Sequence, residues 1–209
     1  MKKSHVSLPV LNEGDFYVSI DTAIAQKRHV EQLREYKRKF EQYKKVFSEA
    51  FISMDTRNQE VFTFRVVYEL KRPVWRIFEI LGSQTFNDLA EAIIESVDWD
   101  NDHMHEFSLP EKRGKSLWYW FSSYSIYPQG WEDDPHPTYK TDEVCIAHLN
   151  YEKYPKIGFV FDFGDGHRFS ILFKGKRTLK LTDDIDIMPL LIDQRGVGPE
   201  QYPNIFEDR

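Results

Sequence analysis

The stretch I-G-F-V-F-D-F-G-D-G-H-R-F-S-I-L-F-K, residues 157–174, is the most informative part of the sequence because it contains two β-strand patterns joined by a glycine-flanked turn. With a two-residue loop at 165–166, both faces of this hairpin would mix apolar and polar side chains. With a three-residue loop at 164–166, whose last glycine is left-handed, one face collects the apolar residues. This register sets Asp162 opposite Arg168. It pairs Phe163 with His167, Phe161 with Phe169, Phe159 with Ile171, and Ile157 with Phe173.

Two strands and a helix precede this hairpin. Residues 60–71 alternate with period two, which predicts a half-buried strand. Its apolar face consists of Phe62, Phe64, Val66, Tyr68 and Leu70. Pro73 lacks a backbone donor and favours a strand start, so the second strand is predicted over 74–81. Thr85, with an acidic residue three positions later, predicts a capped helix that ends near Val97.

Residues 21–54 predict one long amphipathic helix. Asp21 can serve as its N-cap, and neither Pro nor Gly occurs over residues 22–58. The apolar seam has heptad-like spacing and consists of Leu33, Tyr36, Phe40, Tyr43, Phe47, Ala50 and Met54. Because aromatic side chains are bulky for regular coiled-coil packing, we expect the seam to dock on the protein's own domain, ahead of homodimer pairing or an unknown partner. We divide the chain into a tail and helix over 1–58 and an α+β domain over 59–209.

Composition narrows the function classes. The 209 residues carry a formal charge of −6. Residues 1–50 hold ten Lys and Arg against seven Asp and Glu, a charge of +3, so residues 51–209 carry −9. A basic arm on an acidic body can indicate nucleic-acid contact, but this difference is too small to argue strongly for it.

A cytoplasmic protein without a membrane segment is expected. Its single cysteine, Cys145, excludes an intrachain disulfide and a Cys-based zinc site. No apolar run approaches the roughly 20 residues that a membrane span needs. The chain shows no P-loop and no dinucleotide fingerprint, so we expect no cofactor unless a divalent metal binds as described next.

The strongest candidate for chemistry is H-M-H-E at 103–106. On a strand, His103 and His105 point to the same side and can share one metal ion. The hairpin would complete that metal site with Asp162, Asp165 or His167. The alternative is that both histidines lie on a rim and bond to the backbone or to water.

Three carboxylates are candidate catalytic groups: Glu106 beside the histidines, and Asp162 and Asp165 in the hairpin. Asp165 also suits a turn for local reasons, because an Asp side chain can bond to nearby backbone groups. These residues do not form a complete catalytic set.

Several segments, in this order, resemble the plasmid pRiA4b ORF-3-like family. They are V-Y-E-L-K-R-P-V-W-R-I-F-E-I (67–80), T-F-N-D-L-A-E-A-I-I-E-S-V-D-W (85–99), H-M-H-E-F (103–107), D-E-V (142–144) and F-V-F-D-F-G-D-G (159–166). The resemblance covers about Val61–Pro203. The chain departs from the family at His167, where Trp is usual, and at Phe169, where His is usual. R-G-V-G-P-E-Q-Y-P (195–203) replaces the family's Cys- and Gly-rich end.

The resemblance implies an α+β fold with a mixed, roll-like β-sheet and a packed helix, here preceded by the long N-terminal helix. It implies no established activity, and members of the family occur on plasmids and as passengers in insertion elements. The departures at His167 and Phe169 put any chemistry that the family shares in doubt for this chain.

Two functions follow as hypotheses, and enzymatic activity is left open. The first is a non-enzymatic module of a mobile-element family that binds a protein or nucleic acid and self-associates through the helix at 21–54. The second is a metal-dependent hydrolase or nuclease that uses His103 and His105 with the hairpin carboxylates.

Overall fold

The structure is a computed structural model that describes residues 5–55, 59–69, 74–110, 123–128, 130 and 136–202. In chain order, its helices and strands are β1 (His5–Val6), α1 (Phe16–Ala25), α2 (Val30–Ala50), β2 (Met54–Asp55), β3 (Glu60–Tyr68), β4 (Val74–Leu81), α3 (Phe86–Glu95), β5 (His105–Pro110), β6 (Ser123–Ile126), β7 (Lys156–Phe161), β8 (His167–Thr178) and β9 (Leu190–Arg195). Short 3-10 helices span Ile146–His148 and Ile185–Ile187.

Seven strands form one sheet in the order β6-β5-β7-β8-β3-β4-β9, and β1 pairs with β2 in a separate small sheet. The α+β class and the packed helix are confirmed. The sheet was expected to be mixed, but every described strand pair in it is antiparallel. Hairpin-like connections such as β3 to β4 and β7 to β8 favour antiparallel neighbours. Among the described residues, parallel pairing is confined to an isolated bridge between Tyr127 and Lys140.

The two faces of the sheet differ in character. We call the face that packs against α3 the inner face; it includes Phe62, Phe64, Val66, Tyr68, Val74, Phe78, Ile80, Phe107, Phe159, Phe169 and Ile171, which are all buried in one core. The opposite, outer face carries half-exposed side chains such as Arg65, Trp75 and Glu79. The alternating strand over 60–71 is thus confirmed for the residues described, while Leu70 lies outside them.

Helix α3 covers the inner face as the sequence predicts. The backbone N–H of Asp88 donates to Thr85 Oγ1 at 3.2 Å, and the Asp88 carboxylate accepts from the Thr85 backbone N–H at 2.6 Å. This capping box satisfies backbone donors that a helix start leaves without intrahelical partners. The ring centroid of Phe86 lies 5.0 Å from that of Phe107 on β5, which joins the helix to the sheet.

The predicted register of the 157–174 hairpin is wrong by two residues. Phe161 pairs with His167 and Val160 with Arg168, so the turn comprises five residues, 162–166, instead of three. Asp162 closes this turn, since its Oδ1 accepts from the backbone N–H of Gly164 at 2.8 Å. Asp162 therefore does not face Arg168.

A slip of two residues preserves the face on which each side chain lies. The common apolar face is accordingly found, with Ile157, Phe159, Phe161, Phe169 and Ile171 buried and Phe173 packed against them. Phe163 is the exception: it belongs to the turn and is 40% exposed. The left-handed conformation expected of Gly166 is confirmed by its φ of 68°.

The single helix over 21–54 is also wrong, because two helices occupy this region. Lys27 and His29 have φ values of 59° and 44°, and these left-handed residues separate α1 from α2. Asp21 lies inside α1, where its carboxylate accepts from Lys37 Nζ of α2 at 2.8 Å. Helix α2 ends at Ala50, and Met54 belongs to β2.

The aromatic seam of α2 docks on the protein's own body, as expected. Phe40, Tyr43, Phe47 and Ala50 are buried. The Tyr43 hydroxyl donates to the backbone carbonyl of Ser125 at 2.9 Å, and the ring of Tyr139 lies 5.0 Å from that of Phe47. These contacts bring the seam against strand β6 and the segment that precedes the 3-10 helix at Ile146–His148.

Candidate functional site

The structure gives the three predicted metal-binding histidines different partners. His105 lies on the inner face, is 4% exposed, and has its Nε2 3.3 Å from Thr141 Oγ1. Its ring packs against those of Phe107 and Phe159. Burial among these groups lowers the pKa of His105 to about 4, so its imidazole is neutral at pH 7.

His103 lies just before β5 and is half exposed. Its Nε2 is 3.6 Å from Asp162 Oδ2 and 4.0 Å from Asp102 Oδ1. The histidine motif thus meets the hairpin turn at Asp162, through His103 and through the Met104 carbonyl, which accepts from the Asp162 backbone N–H at 3.0 Å. The same Asp162 closes the turn with its other carboxylate oxygen.

His167 is buried and links strand β3 to the segment at Gln201, an arrangement that we call the His167 clasp. Its Nε2 lies 3.1 Å from the backbone carbonyl of Gln201, and a carbonyl can only accept, so Nε2 donates. The other ring nitrogen, Nδ1, lies 2.8 Å from the Tyr68 hydroxyl. The Trp99 ring lies 4.3 Å from that of His167, and its Nε1 donates to the carbonyl of Pro199 at 2.8 Å.

The remaining predicted carboxylates lie in different surroundings. Asp165 is exposed in the hairpin turn, and its backbone N–H donates to Asp162 Oδ1 at 3.3 Å. Glu106 follows His105 on β5, and strand alternation turns it toward the outer face. Among the residues that the structure describes, no group of three or more His, Cys, Asp or Glu side chains is arranged to hold a metal ion. The metal and catalytic assignments stay predictions.

An open groove of about 730 Å³ lies between the C-terminal end of α3, strands β4 and β9, and the loop after β9. Its apolar lining includes Phe78, Ala92, Pro189, Leu191 and Val197. Its charged lining consists of Arg76, Glu95, Asp98 and Arg195. We call this feature the Arg76 groove.

Arg76 forms the floor of the groove. Strand alternation sets it on the inner face beside Phe78, where it is 5% exposed. Its Nε donates to the Ser96 carbonyl at 2.9 Å. Its Nη1 donates to backbone carbonyls of Trp75, Arg195 and Gly196 at 3.0, 3.2 and 3.0 Å. One guanidinium thus ties β4 to the end of α3 and to the loop after β9.

The Nη2 atom of Arg76 donates to no residue in the described part of the chain, nor does the side chain form an ion pair there. Burial lowers the pKa of Arg76, and the nearby charge of Asp98 opposes that shift only in part. Buried charges are normally paired, so this arrangement is unusual for a purely structural arginine. The sequence offered a signal that our sequence analysis missed, namely a charged residue on the apolar side of the 74–81 strand.

The loop after β9 is shaped by two glycines. Gly196 has a φ of 80°, a conformation that L side chains rarely adopt. A Cβ on Gly198 would lie 2.7 Å from the Val97 carbonyl, so only glycine permits this close approach to the end of α3. The chain then continues to Gln201, whose Nε2 donates to the Asp100 carbonyl at 2.9 Å. This segment therefore connects the Arg76 groove with the His167 clasp.

The groove offers groups suited to binding. It combines guanidinium and carboxylate groups with an apolar wall, which is typical of sites that orient a ligand by a few polar contacts. The hydroxyl of Ser96, which also lines the groove, donates to the carbonyl of Ile93 at 2.7 Å.

The fold and the groove together define an α+β protein with an antiparallel sheet and a ligand-sized groove beside an edge strand. Residues 60–202 match the family described as plasmid pRiA4b ORF-3-like protein, and the chain belongs to this family. The match agrees with the span expected from the sequence. No helix in the described part is long and apolar enough to cross a membrane.

The fold is similar to that of a solved structure. It is the crystal structure of a protein of unknown function, MM3350 from Methanosarcina mazei Go1. The two share 19% sequence identity with a TM-score of 0.54, over 66% of this chain and 70% of the other. A likeness at this identity supports the fold alone. A comparison with curated proteins finds no match.

Proposed function

We propose that the protein is a non-enzymatic binding module that holds a short segment of a partner protein in the Arg76 groove. The observation that carries this proposal is the buried guanidinium of Arg76, whose Nη2 donates to no described residue beside an open groove of about 730 Å³. A buried cation whose N–H donors lack acceptors among the described residues, next to apolar walls, is a feature expected of a preformed ligand site.

A protein partner fits the surroundings of the groove better than a nucleic acid. Glu95 and Asp98 line the groove beside Arg76, and their charge would repel phosphate groups. Residues 51–209 carry a charge of −9, whereas nucleic-acid surfaces are usually basic. The nucleic-acid partner expected from the sequence thus becomes an outcome that the test below can reveal.

Exposed apolar side chains near β9 support contact with a protein. Val197, on the groove wall, is 87% exposed, and Ile192 on β9 is 48% exposed. Ile185 and Ile187, in the 3-10 helix before β9, are 49% and 53% exposed. Strand β9 ends the sheet order, and terminal strands are places where an extended segment can add.

The proposal also includes self-association of the chain and a cytoplasmic location. Self-association through residues 21–54 would use the outer side of α2, since Phe40, Tyr43 and Phe47 are already buried within the chain. The module would act in the cytoplasm on behalf of a plasmid or insertion element, as the family resemblance implies. The size of the purified full chain in solution tests the first part, and a dimer that is unchanged when α2 surface residues are replaced would contradict it.

The metal-dependent hydrolase or nuclease stays a prediction. Of its proposed side chains, the structure brings His103 and Asp162 together at 3.6 Å. Elemental analysis of protein purified without a His-tag tests it: a stoichiometric metal that is lost on replacing His103 would support it, and metal-free protein would contradict it.

A displayed library of random octapeptides tests the binding function. The bait is the full chain, and the matched variants are Ala92→Phe, which fills the groove, and Val18→Phe, at an exposed site on α1. We expect peptides that bind the wild type and the α1 variant but not Ala92→Phe. Failure to enrich any peptide, or peptides that bind all three proteins equally, would contradict the proposal. Salt-sensitive binding of a single-stranded oligonucleotide would point to the nucleic-acid alternative.

A further inference from the structure

We infer that the Arg76 groove selects a peptide segment with a carboxylate side chain that bonds to Arg76 Nη2 and a neighbouring basic side chain that faces Glu95 and Asp98. The inference rests on the proposed function, because it names the chemistry of the segment that the groove would hold. It adds a preference for a carboxylate next to a basic side chain, which peptide binding by itself does not require.

The hydrogen bonds of Arg76 leave some of its donors without an acceptor in the described part of the chain. An arginine has five N–H donors, of which two belong to Nη2. Nε and Nη1 are used by the carbonyls of Ser96, Trp75, Arg195 and Gly196. Neutral carbonyls satisfy donors without cancelling the charge, and the Nη2 donors have no acceptor among the described residues. Arg76 is 5% exposed and lines the groove, so a ligand bound there would lie beside its guanidinium.

A carboxylate is the acceptor that best suits the Nη2 donors of Arg76. Carboxylates match the planar guanidinium, and charge-assisted bonds of this type are stronger than neutral ones. The structure itself contains this pairing elsewhere: Arg177 Nη2 lies 2.6 Å from Glu79 Oε2, and Arg177 Nη1 lies 2.6 Å from Asp183 Oδ2. Arg76 has the same guanidinium group but no such carboxylate partner in the described part of the chain.

The rim of the groove, which we define as Glu95 and Asp98, carries negative charge. Glu95 and Asp98 line the groove, and neither carboxylate accepts a hydrogen bond or forms an ion pair within the described part of the chain. Both residues are exposed. A ligand that carries only negative charge would be repelled by them, while a carboxylate next to a basic group satisfies Arg76 and the rim together. The rim therefore disfavours free phosphate and favours a peptide with adjacent charges of opposite sign.

A positional-scanning octapeptide library, acetylated and amidated at its ends, tests the inference. Each position is fixed in turn as Glu, Gln, Lys or Leu, and the pools are titrated against the full chain. We expect one position at which Glu binds at least about tenfold more tightly than Gln, as a charge-assisted hydrogen bond predicts. At a neighbouring position Lys should exceed Leu.

Variants assign these preferences to the groove. Arg76→Gln should remove the preference for Glu over Gln, and the double change Glu95→Gln with Asp98→Asn should remove the preference for Lys. Arg177→Gln, on the outer face, should leave both preferences unchanged. If Arg76→Gln fails to fold, the Glu95→Gln and Asp98→Asn double variant and the comparison of Glu with Gln pools on the wild type still test the inference.

The outcomes separate this inference from the function beneath it. Peptides that bind the wild type and lose binding in Ala92→Phe, but show equal affinity for Glu and Gln, would overturn the carboxylate rule and leave the binding function standing. A preference for Glu that persists in Arg76→Gln would also overturn the rule. Absence of binding by every pool would overturn both.

Discussion

Two arginines of the same sheet, Arg177 on β8 and Arg76 on β4, lie in opposite environments. Arg177, on the outer face, is held by the carboxylates of Glu79 and Asp183, and these contacts raise its pKa. Arg76, on the inner face, is almost fully buried, bonds to backbone carbonyls, and has its pKa lowered by burial. The charge of the outer arginine is balanced by two carboxylates, whereas the inner arginine bonds to no carboxylate among the described residues.

This difference separates a structural ion pair from a binding group. A partly exposed pair such as Arg177 with its carboxylates adds little to stability, because water already solvates the charges. The backbone carbonyls that Arg76 binds stabilise the fold, but none of its bonds in the described part of the chain is to a carboxylate, so its desolvation cost is offset only in part. A ligand that supplies the missing charge would explain why the chain keeps arginine on an apolar face.

The largest expected effect comes from Arg76→Met. It leaves backbone carbonyls of Ser96, Arg195 and Gly196 without their donor, which should lower the free energy of unfolding by about 4 kcal/mol. Urea unfolding measures the change, and Arg177→Met is the matched control with a smaller expected loss. Equal losses in the two variants would contradict the contrast between the two faces.

His105 gives the next largest effect, because it is another polar group buried on the inner face. Burial lowers its pKa from 6.5 to about 4, so the unfolded chain binds a proton in this window that the folded chain does not. Stability should therefore be fully present above pH 6.5 and fall by about 3 kcal/mol as the pH drops to about 4.

The control for His105 is His105→Gln, which can still reach Thr141 but does not titrate. Urea unfolding at several pH values should show a steeper loss for the wild type than for this variant between pH 6.5 and about 4. Parallel curves would show that His105 does not carry the predicted desolvation.

The outer cluster should respond to acid in a lower window. Arg177 and the backbone N–H of Lys180 lower the pKa of Asp183 below 3.8, so the stability from this contact is present above that pH and is lost as the pH falls through the folded-state value. The difference in melting temperature between wild type and Arg177→Gln should thus shrink in strong acid. A constant difference would contradict the assignment.

The smallest expected effect on stability belongs to Ala92→Phe. Ala92 lines the open groove, so a phenyl ring can occupy space already present, and the free energy of unfolding should change by less than about 0.5 kcal/mol. The same change should abolish peptide binding. Thermal unfolding and titration of the same sample check both, and a large loss of stability would show that the groove cannot accept the ring.

The contrast between faces also shows how far the sequence determines the fold. Period-two alternation correctly predicts β3, the interruption at Pro73 predicts the start of β4, and the capping residues predict α3. The hairpin register fails because the Asp162 carboxylate closes a longer turn, a local contact that face patterns do not report. A two-residue slip leaves every face unchanged, so apolar alternation alone could not detect it.

The break between α1 and α2 escaped prediction for a similar reason. Lys27 and His29 adopt left-handed conformations that usually favour glycine, and neither residue type marks such a turn in a sequence. The groove was harder still to predict, because the histidines at 103 and 105 form the more obvious chemical motif in the sequence. Arg76 is a charge among apolar neighbours in the sequence, but whether its Nη2 finds an acceptor among the described residues depends on where the ends of α3 and β9 meet, which only the folded chain reveals.

The most direct test of the account is a crystal structure of the full chain with the tightest octapeptide from the library. We predict a peptide carboxylate about 2.9 Å from Arg76 Nη2, with the peptide lying beside β9. A peptide bound elsewhere, with no anionic group near Arg76, would contradict the claim that this buried arginine is kept for a ligand.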